Sequence, residues 1–347
     1  MTQNSSSNVT RSIIPWTIVL LMSIYVFSLT YHAKNRPPPN PAYDFYDTTV
    51  VNVYIFDFLE LPDVYGRYNN IVEGERQLVE AIPDNVGYYR LAFKVNSPRP
   101  ALLYIDDEAI EIFLVPDSSL SISVFFNTTT RLPDSVKFEG YTARICEYYQ
   151  QKAKKYSEVQ AHLSRNTLKS EDFSTFSQRL DELALEATNF LSAYDMSNKL
   201  PNWFFNFERS EILYQKAYLK LSNAYNRQIS QRYLDEIEIN NEDAVFSYYY
   251  YLYLKSYISV QEMKSSQTLS RNKDQKDQVF IRQMTIGDTL LVGEMHDVFL
   301  TRMIFNQLKQ NRLEMAEKML KKYQGKFNRK KYERFLLAQY KARLVLQ

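Results

Sequence analysis

The stretch Glu111-Ile-Phe-Leu-Val-Pro-Asp-Ser-Ser-Leu-Ser-Ile-Ser-Val124, EIFLVPDSSLSISV, decides the fold class. Ile110, Ile112 and Leu114 alternate with Glu111 and Phe113. Leu120, Ile122 and Val124 then alternate with Ser119, Ser121 and Ser123. A period of two puts one set of side chains on a core and the other on the opposite face of a strand. Between the two runs Pro116 fixes φ, and Asp117 or Ser118 offers a side chain to the turn backbone. The stretch therefore reads as a β-hairpin.

The same period extends outward. Val51, Val53 and Ile55 alternate with Asn52, Tyr54 and Phe56, and Leu91, Phe93 and Val95 with Arg90, Ala92 and Lys94. Turn signals separate the runs at Pro62-Asp63, Pro83-Asp84-Asn85, Pro98-Arg99-Pro100, Asp106-Asp107 and Pro133-Asp134. Short strands at this spacing predict an antiparallel β-sandwich domain over 46–140.

After Gly140 the period changes to three and four, as in Ile145, Tyr149, Ala153, Tyr156, Val159 and Leu163. Ser170 suits the N-cap of a helix carrying Phe173, Phe176, Leu180 and Leu183, and Pro201 suits the first turn of the next. Helical patterns continue through Ala244–Met263, Asp288–Lys309, Leu313–Gln324 and Arg329–Leu346, with a polar loop at Lys264–Lys276. An all-α helical domain is expected over 141–347, which makes the fold class α+β.

Ile13–Tyr31 is a charge-free apolar run of 19 residues. As a helix it would span ~28 Å, close to the hydrocarbon thickness of a bilayer. Trp16 and Tyr31 stand near its ends, where amphipathic rings prefer the headgroups. An uncleaved signal-anchor fits better than a cleaved signal peptide, because no small-x-small cleavage site follows and the n-region holds only Arg11. The expected layout is a tail (1–12), a transmembrane helix (13–31), a Pro-rich linker (32–45) and the two folded domains. The expected location is single-pass in the inner membrane, with the domains in the periplasm. Arg11 on one flank and Lys34 with Arg36 on the other leave both orientations open.

Composition excludes much chemistry. One cysteine, Cys146, leaves no internal disulfide and no CxxC pair, and three histidines make most zinc sites impossible. Seven glycines argue against phosphate-cradling loops, and a net charge of +2 predicts no nucleic-acid partner.

Five features are candidate sites. Cys146 reads as a buried small hydrophobe, and otherwise as a free thiol for a redox partner. In Glu294-Met295-His296-Asp297, Glu294 and Asp297 share a helix face, which reads as solvated rather than metal-binding. Tyr248–Tyr253 (YYYYLY) reads as a packed central helix, and otherwise as an aromatic platform for sugar or peptide. The basic run Lys326–Arg334 reads as a solvated face with partner docking or headgroup contact open. The acidic pairs Asp106-Asp107-Glu108 and Asp235-Glu236 read as a turn and a helix surface. No catalytic, cofactor-binding or metal residue is assigned from sequence, and no cofactor is expected.

Ile112–Ile122 (IFLVPDSSLSI) and Phe138-Glu-Gly-Tyr-Thr-Ala143 together resemble the N-terminal region of TlpA-like thiol-disulfide oxidoreductases of Gram-negative bacteria. There a sandwich with a strand–Pro-Gly-Asp-Ser-Leu–strand segment and a Phe-x-Gly-x-x-Ala step precedes helices and a thioredoxin domain. The family's turn glycine is replaced here, and no Trp-Cys-x-x-Cys occurs in the 347 residues. The resemblance implies an exported, membrane-associated accessory protein without the redox centre. The expected function is a non-catalytic interaction module, accessory to a separate thioredoxin-like protein. The alternative is a ligand-binding or sensing module built on the Tyr-rich helix. A third reading is an enzyme whose Asp, Glu, Tyr or Lys side chains converge from distant segments.

Overall fold

The computed structural model describes residues 47–58, 60–70, 72–73, 76–84, 87–127, 133–162, 172–226, 237–265 and 273–345. Among these residues nine strands precede the helices: β1 (Asp47–Phe56), β2 (Val64–Asn69), β3 (Arg76–Glu80), β4 (Ile82–Pro83), β5 (Tyr88–Val95), β6 (Arg99–Ile105), β7 (Glu108–Leu114), β8 (Ser119–Phe126) and β9 (Pro133–Gly140). Eight helices follow: α1 (Ala143–His162), α2 (Phe173–Asn198), α3 (Asn202–Asn226), α4 (Tyr248–Ser265), α5 (Lys273–Leu290), α6 (Gly293–Lys309), α7 (Leu313–Tyr323) and α8 (Lys330–Val345). The fold is α+β. The expected membrane helix at 13–31 lies outside the described residues. Within them no helix is long and apolar enough to cross a membrane.

The strands form two sheets, ordered β4-β5-β1-β8-β9 and β3-β2-β6-β7. Their inner faces share one core, in which Val51, Val53, Leu91, Phe93, Leu120 and Ile122 meet Leu103, Ile105, Ile112 and Leu114. The facing distance is short at Gly66 of β2. A Cβ there would stand 2.3 Å from the Phe93 ring, so no larger residue fits without displacing the ring.

Two expectations are corrected here. The opening stretch is not a hairpin, because β7 and β8 belong to different sheets. The Pro116-Asp117 turn carries the chain across the core, with Asp117 at φ 55° and Ser118 Oγ donating to Val115 O at 2.5 Å. Alternation reports which face is buried, and an arch between sheets buries the same face as a hairpin. Nor is the sandwich wholly antiparallel. The arch delivers β8 alongside β1 in the same direction, with Val51↔Leu120 and Val53↔Ile122 in register, while the other pairings are antiparallel.

Gly140 ends the sandwich at φ 120°, where a Cβ would meet Ser119 O at 2.6 Å. Thr142 O then accepts the Cys146 amide as α1 begins. α1 packs on β7, so that strand is buried on both faces. Ile110, Ile112 and Leu114 face the sandwich, while Phe113 meets Tyr149, Trp203, Phe204 and Phe207.

α3 joins two cores. Phe204, Phe207 and Ile212 belong to the sandwich side, whereas Tyr214, Ala217 and Leu221 enter a second core built with α4–α8. α6 is the centre of that second core, buried at every position from Met295 to Phe305. α7 covers it with an amphipathic face, Ala316, Met319, Leu320 and Tyr323.

Three helix boundaries differ from expectation. The N-cap of α2 is Asp172, whose carboxylate accepts the Thr175 amide at 3.0 Å, and Ser170 lies outside the described residues. The Asp288–Lys309 pattern breaks into α5 and α6, because Val292 is extended, with φ −129° and ψ 165°. The polar segment 264–276 is helical at both its described ends.

Candidate functional site

Two polar clusters occupy the helical half. The first lies where β7, α1, α3 and α4 meet. Tyr148, Tyr149 and Lys152 share one side of α1 at helical spacing. They converge on Glu208 of α3, whose carboxylate is 1% exposed. Oε1 accepts the Tyr148 hydroxyl at 3.1 Å and the Lys152 ammonium at 2.5 Å, and Oε2 accepts the Tyr149 hydroxyl at 2.9 Å. A buried carboxylate needs such partners, since each lone pair left unmatched costs about 1–3 kcal/mol.

Around this pair the other acids feel a dry, already negative surrounding. Burial pushes the Glu111 carboxyl up; Lys152 opposes the shift and Glu208 adds to it. Burial raises Glu211 to about 7, against hydrogen bonds from Ser247 and the Tyr248 amide. Burial works against the Lys152 charge, yet Glu208 and Glu111 together raise its pKa above the ordinary value. The adjoining groove between α1, α2 and α3 holds ≈ 80 Å³. Lys152, Tyr156 and Gln215 reach it, but Glu111, Glu208 and Glu211 do not line it.

The second cluster unites two features that the sequence presents separately, Glu294–Asp297 and Lys326–Arg334. Asp297 is fully buried. Its Oδ1 accepts the Asn328 amide at 3.0 Å and Asn328 Nδ2 at 3.1 Å, and its Oδ2 accepts the Arg329 amide at 2.7 Å. These amides precede α8, so the carboxylate holds the entry of that helix. Glu294 accepts the Tyr332 hydroxyl at 2.8 Å and pairs with Arg329 at 3.0 Å and Lys331 at 3.5 Å. His296 lies between Asp288 of α5 (Nε2, 3.1 Å) and Asp297 (Nδ1, 3.3 Å). Burial opposes its protonation, but hydrogen bonds to Asp297 and Asp288 and their charges raise its pKa. Burial likewise pulls Asp288 up, and Lys326 with His296 outweighs it and holds the carboxyl below its ordinary range.

Glu294–Asp297 is not a solvated face, whereas Lys326–Arg334 is amphipathic, with Lys326, Asn328, Lys330 and Arg334 exposed and Phe327 and Tyr332 buried. They are the two halves of a clasp joining α5, α6 and α8. Among the described residues no group of three or more His, Cys, Asp and Glu side chains could hold a metal ion.

Cys146, Tyr250, Tyr251 and Tyr253 fall on packing positions. Cys146 is fully buried and its Sγ accepts the Phe113 amide at 3.4 Å; burial drives the thiol up to about 12, against the hydrogen bonds it accepts. Tyr250, Tyr251 and Tyr253 are fully buried in the second core. Tyr250 donates to Ile239 O and accepts the Asn241 amide, and Arg302 stacks on Tyr251 at 3.8 Å. Asp106 sits in the β6–β7 turn at φ 50° and accepts the Asp63 amide. Asp235-Glu236 lies outside the described residues.

Sequence reasoning missed Glu208. Its signal was the carboxylates Glu208 and Glu211 set among Trp203, Phe204, Phe207 and Ile212, where charge on an apolar face marks a buried, paired site.

No protein-family model matches the chain, and no curated protein matches it.

Proposed function

We propose that the chain is a non-catalytic interaction module of the bacterial envelope. It is tethered to the inner membrane by residues 13–31 and presents its sandwich and helices in the periplasm to a protein partner. The partner most consistent with the TlpA-like resemblance is a thioredoxin-like protein made as a separate chain. One observation carries this reading: the central ionisable groups of both clusters are matched inside the fold. Glu208 is matched by Lys152 and two tyrosines, the Glu294–Asp297 segment by Arg329, Lys331 and Asn328, and the thiol of Cys146 is sealed. Groups consumed in this way brace a scaffold and leave no acid–base pair facing a substrate.

A second reading, acid–base catalysis, is favoured by Glu211 with its pKa of about 7 beside Glu208 and Lys152. It ranks lower because those carboxylates lie off the neighbouring groove. The Tyr-rich helix as a ligand platform draws no support from rings buried in a core.

The test uses the full-length chain in its own membranes. After alkaline extraction it is expected to stay in the membrane fraction. After crosslinking and affinity purification it is expected to bring down one envelope protein in near-stoichiometric yield. Release by alkali would remove the tether, and recovery of the chain alone would remove the module.

A further inference from the structure

The four sheet edges are not equivalent. β7 is packed beneath α1, β4 is two residues long, and β9 carries Pro133, Asp134 and Lys137, residues that discourage strand pairing. β3 differs. It is the last strand of its sheet, and among the described residues no strand pairs with its outer side.

The ladder shows which of its groups are open. The Ala81 amide donates to Val64 O at 3.1 Å, which makes Val64 and Ala81 a hydrogen-bonded pair. Such pairs alternate along an antiparallel ladder, and the β2–β3 register sets Gly66 opposite Val79 and Arg67 opposite Leu78. Leu78 and Glu80 therefore turn their N–H and C=O groups away from β2, toward solvent.

The side chains along this edge are apolar where protection is usual. Leu61 is 50% exposed, Leu78 55% and Ile82 75%. Leu61 and Leu78, with Tyr65, Glu80 and Asp63, line an open groove of ≈ 620 Å³. Neither Asp63 nor Glu80 has a cation within ion-pair distance among the described residues. The groove's one guanidinium, Arg67, is held over the stacked rings of Tyr65 and Tyr104 at 5.1 and 5.2 Å. Beyond Asp63, Asp84 and Asp106 add negative potential: after burial, these three carboxylates push the Tyr89 hydroxyl upward.

We propose that the β3 edge is a docking strip for an extended segment of a partner protein that carries basic and apolar residues together on one face, as Leu78 and Glu80 share one face of β3, and that adds to β3 as a further strand. The open backbone of Leu78 and Glu80 supplies main-chain pairing. The apolar side chains of the segment cover Leu61, Leu78 and Ile82, and its cations meet Asp63 and Glu80. This deepens the interaction-module reading and rests on it, naming the surface and the chemistry of the partner.

The test measures fluorescence anisotropy of a labelled octapeptide with valine and lysine in turn at every second position and threonine between them, titrated with the full-length chain in detergent. Binding is expected to be at least about tenfold tighter than for the glutamate–valine counterpart, the scale of two half-exposed ion pairs. N-methylation of the peptide amides that would face β3 is expected to abolish binding. Asp63→Lys with Glu80→Lys, both at exposed positions, is expected to reverse the preference between the two peptides. Equal affinity for both peptides, indifference to N-methylation, or an unchanged preference in the double variant would each overturn the docking strip. None of these results bears on the module itself, which the crosslinking experiment tests with the natural partner and no peptide.

Discussion

Replacing Asp297 by alanine should loosen the clasp by an amount the structure allows us to work out. The carboxylate is fully buried and accepts four hydrogen bonds, from the Asn328 amide, Asn328 Nδ2, the Arg329 amide and His296 Nδ1. Alanine strands those donors, and each buried donor left unmatched costs about 1–3 kcal/mol. Asn328 Nδ2 also reaches Gly293 O at 2.9 Å and keeps that partner. Three stranded donors, softened by water entering the space left behind, amount to about 3–5 kcal/mol, the range for breaking a buried charged contact. With a urea slope of about 3 kcal/mol/M, the midpoint should fall by about 1–1.7 M. Asp297→Asn keeps one acceptor oxygen and loses the charge, so its cost should be about half. Hydrogen exchange provides the local reading: the Asn328 and Arg329 amides should lose protection in both variants, and more in the alanine one. A loss below about 1 kcal/mol, or unchanged protection at those two amides, would refute the reasoning that this carboxylate anchors α8.

Three further expectations follow from the same geometry. His296 has a raised folded-state pKa, so the stability it contributes is fully present below its unfolded value near ~6.5 and is lost as pH rises through the folded value. Urea midpoints measured across that window should show the decline, and His296→Asn should flatten it. Phe113→Ala removes a fully buried ring seated among Tyr149, Trp203, Phe204 and Phe207. It should cost about 3–5 kcal/mol in denaturant unfolding, and a value below about 1 would mean that α1 and α3 do not depend on β7. Cys146, with its thiol pushed up to about 12, should resist a thiol-specific reagent in the native protein and react stoichiometrically in guanidinium; rapid native labelling would contradict its burial.

The sequence carried the faces of the strands but not their partners. Leu120, Ile122 and Val124 announce a buried face by their spacing, yet an arch and a hairpin bury the same residues, so the pairing of β8 with β1 was not legible. Phe113 illustrates a related blindness. Its place opposite Ile112 suggested the open side of a sheet, and only α1 and α3 arriving from later in the chain make that side a second interior. The clasp was half legible. The i, i+3 spacing of Glu294 and Asp297 put both on one side of α6, where both do reach the Asn328–Tyr332 segment. Its burial was not legible, because local polarity implies a wet surface unless the complementary charges, 30 residues and more downstream, are known to fold back. Glu208 follows the same logic, since its match with Lys152 spans 56 positions.

The parallel pairing of β1 with β8 has a consequence for how the polypeptide is made. β1 lies at the middle of its sheet, yet it is translated first of the nine strands and its neighbours, β5 and β8, come much later. Until residues 88–95 and then 119–126 have left the ribosome, its Val-rich ribbon has no mate on either flank. Closure over such long intervals is slow, and a nascent ribbon of this kind is sticky. Biogenesis, more than the finished architecture, is the stage at which this strand is open to aggregation.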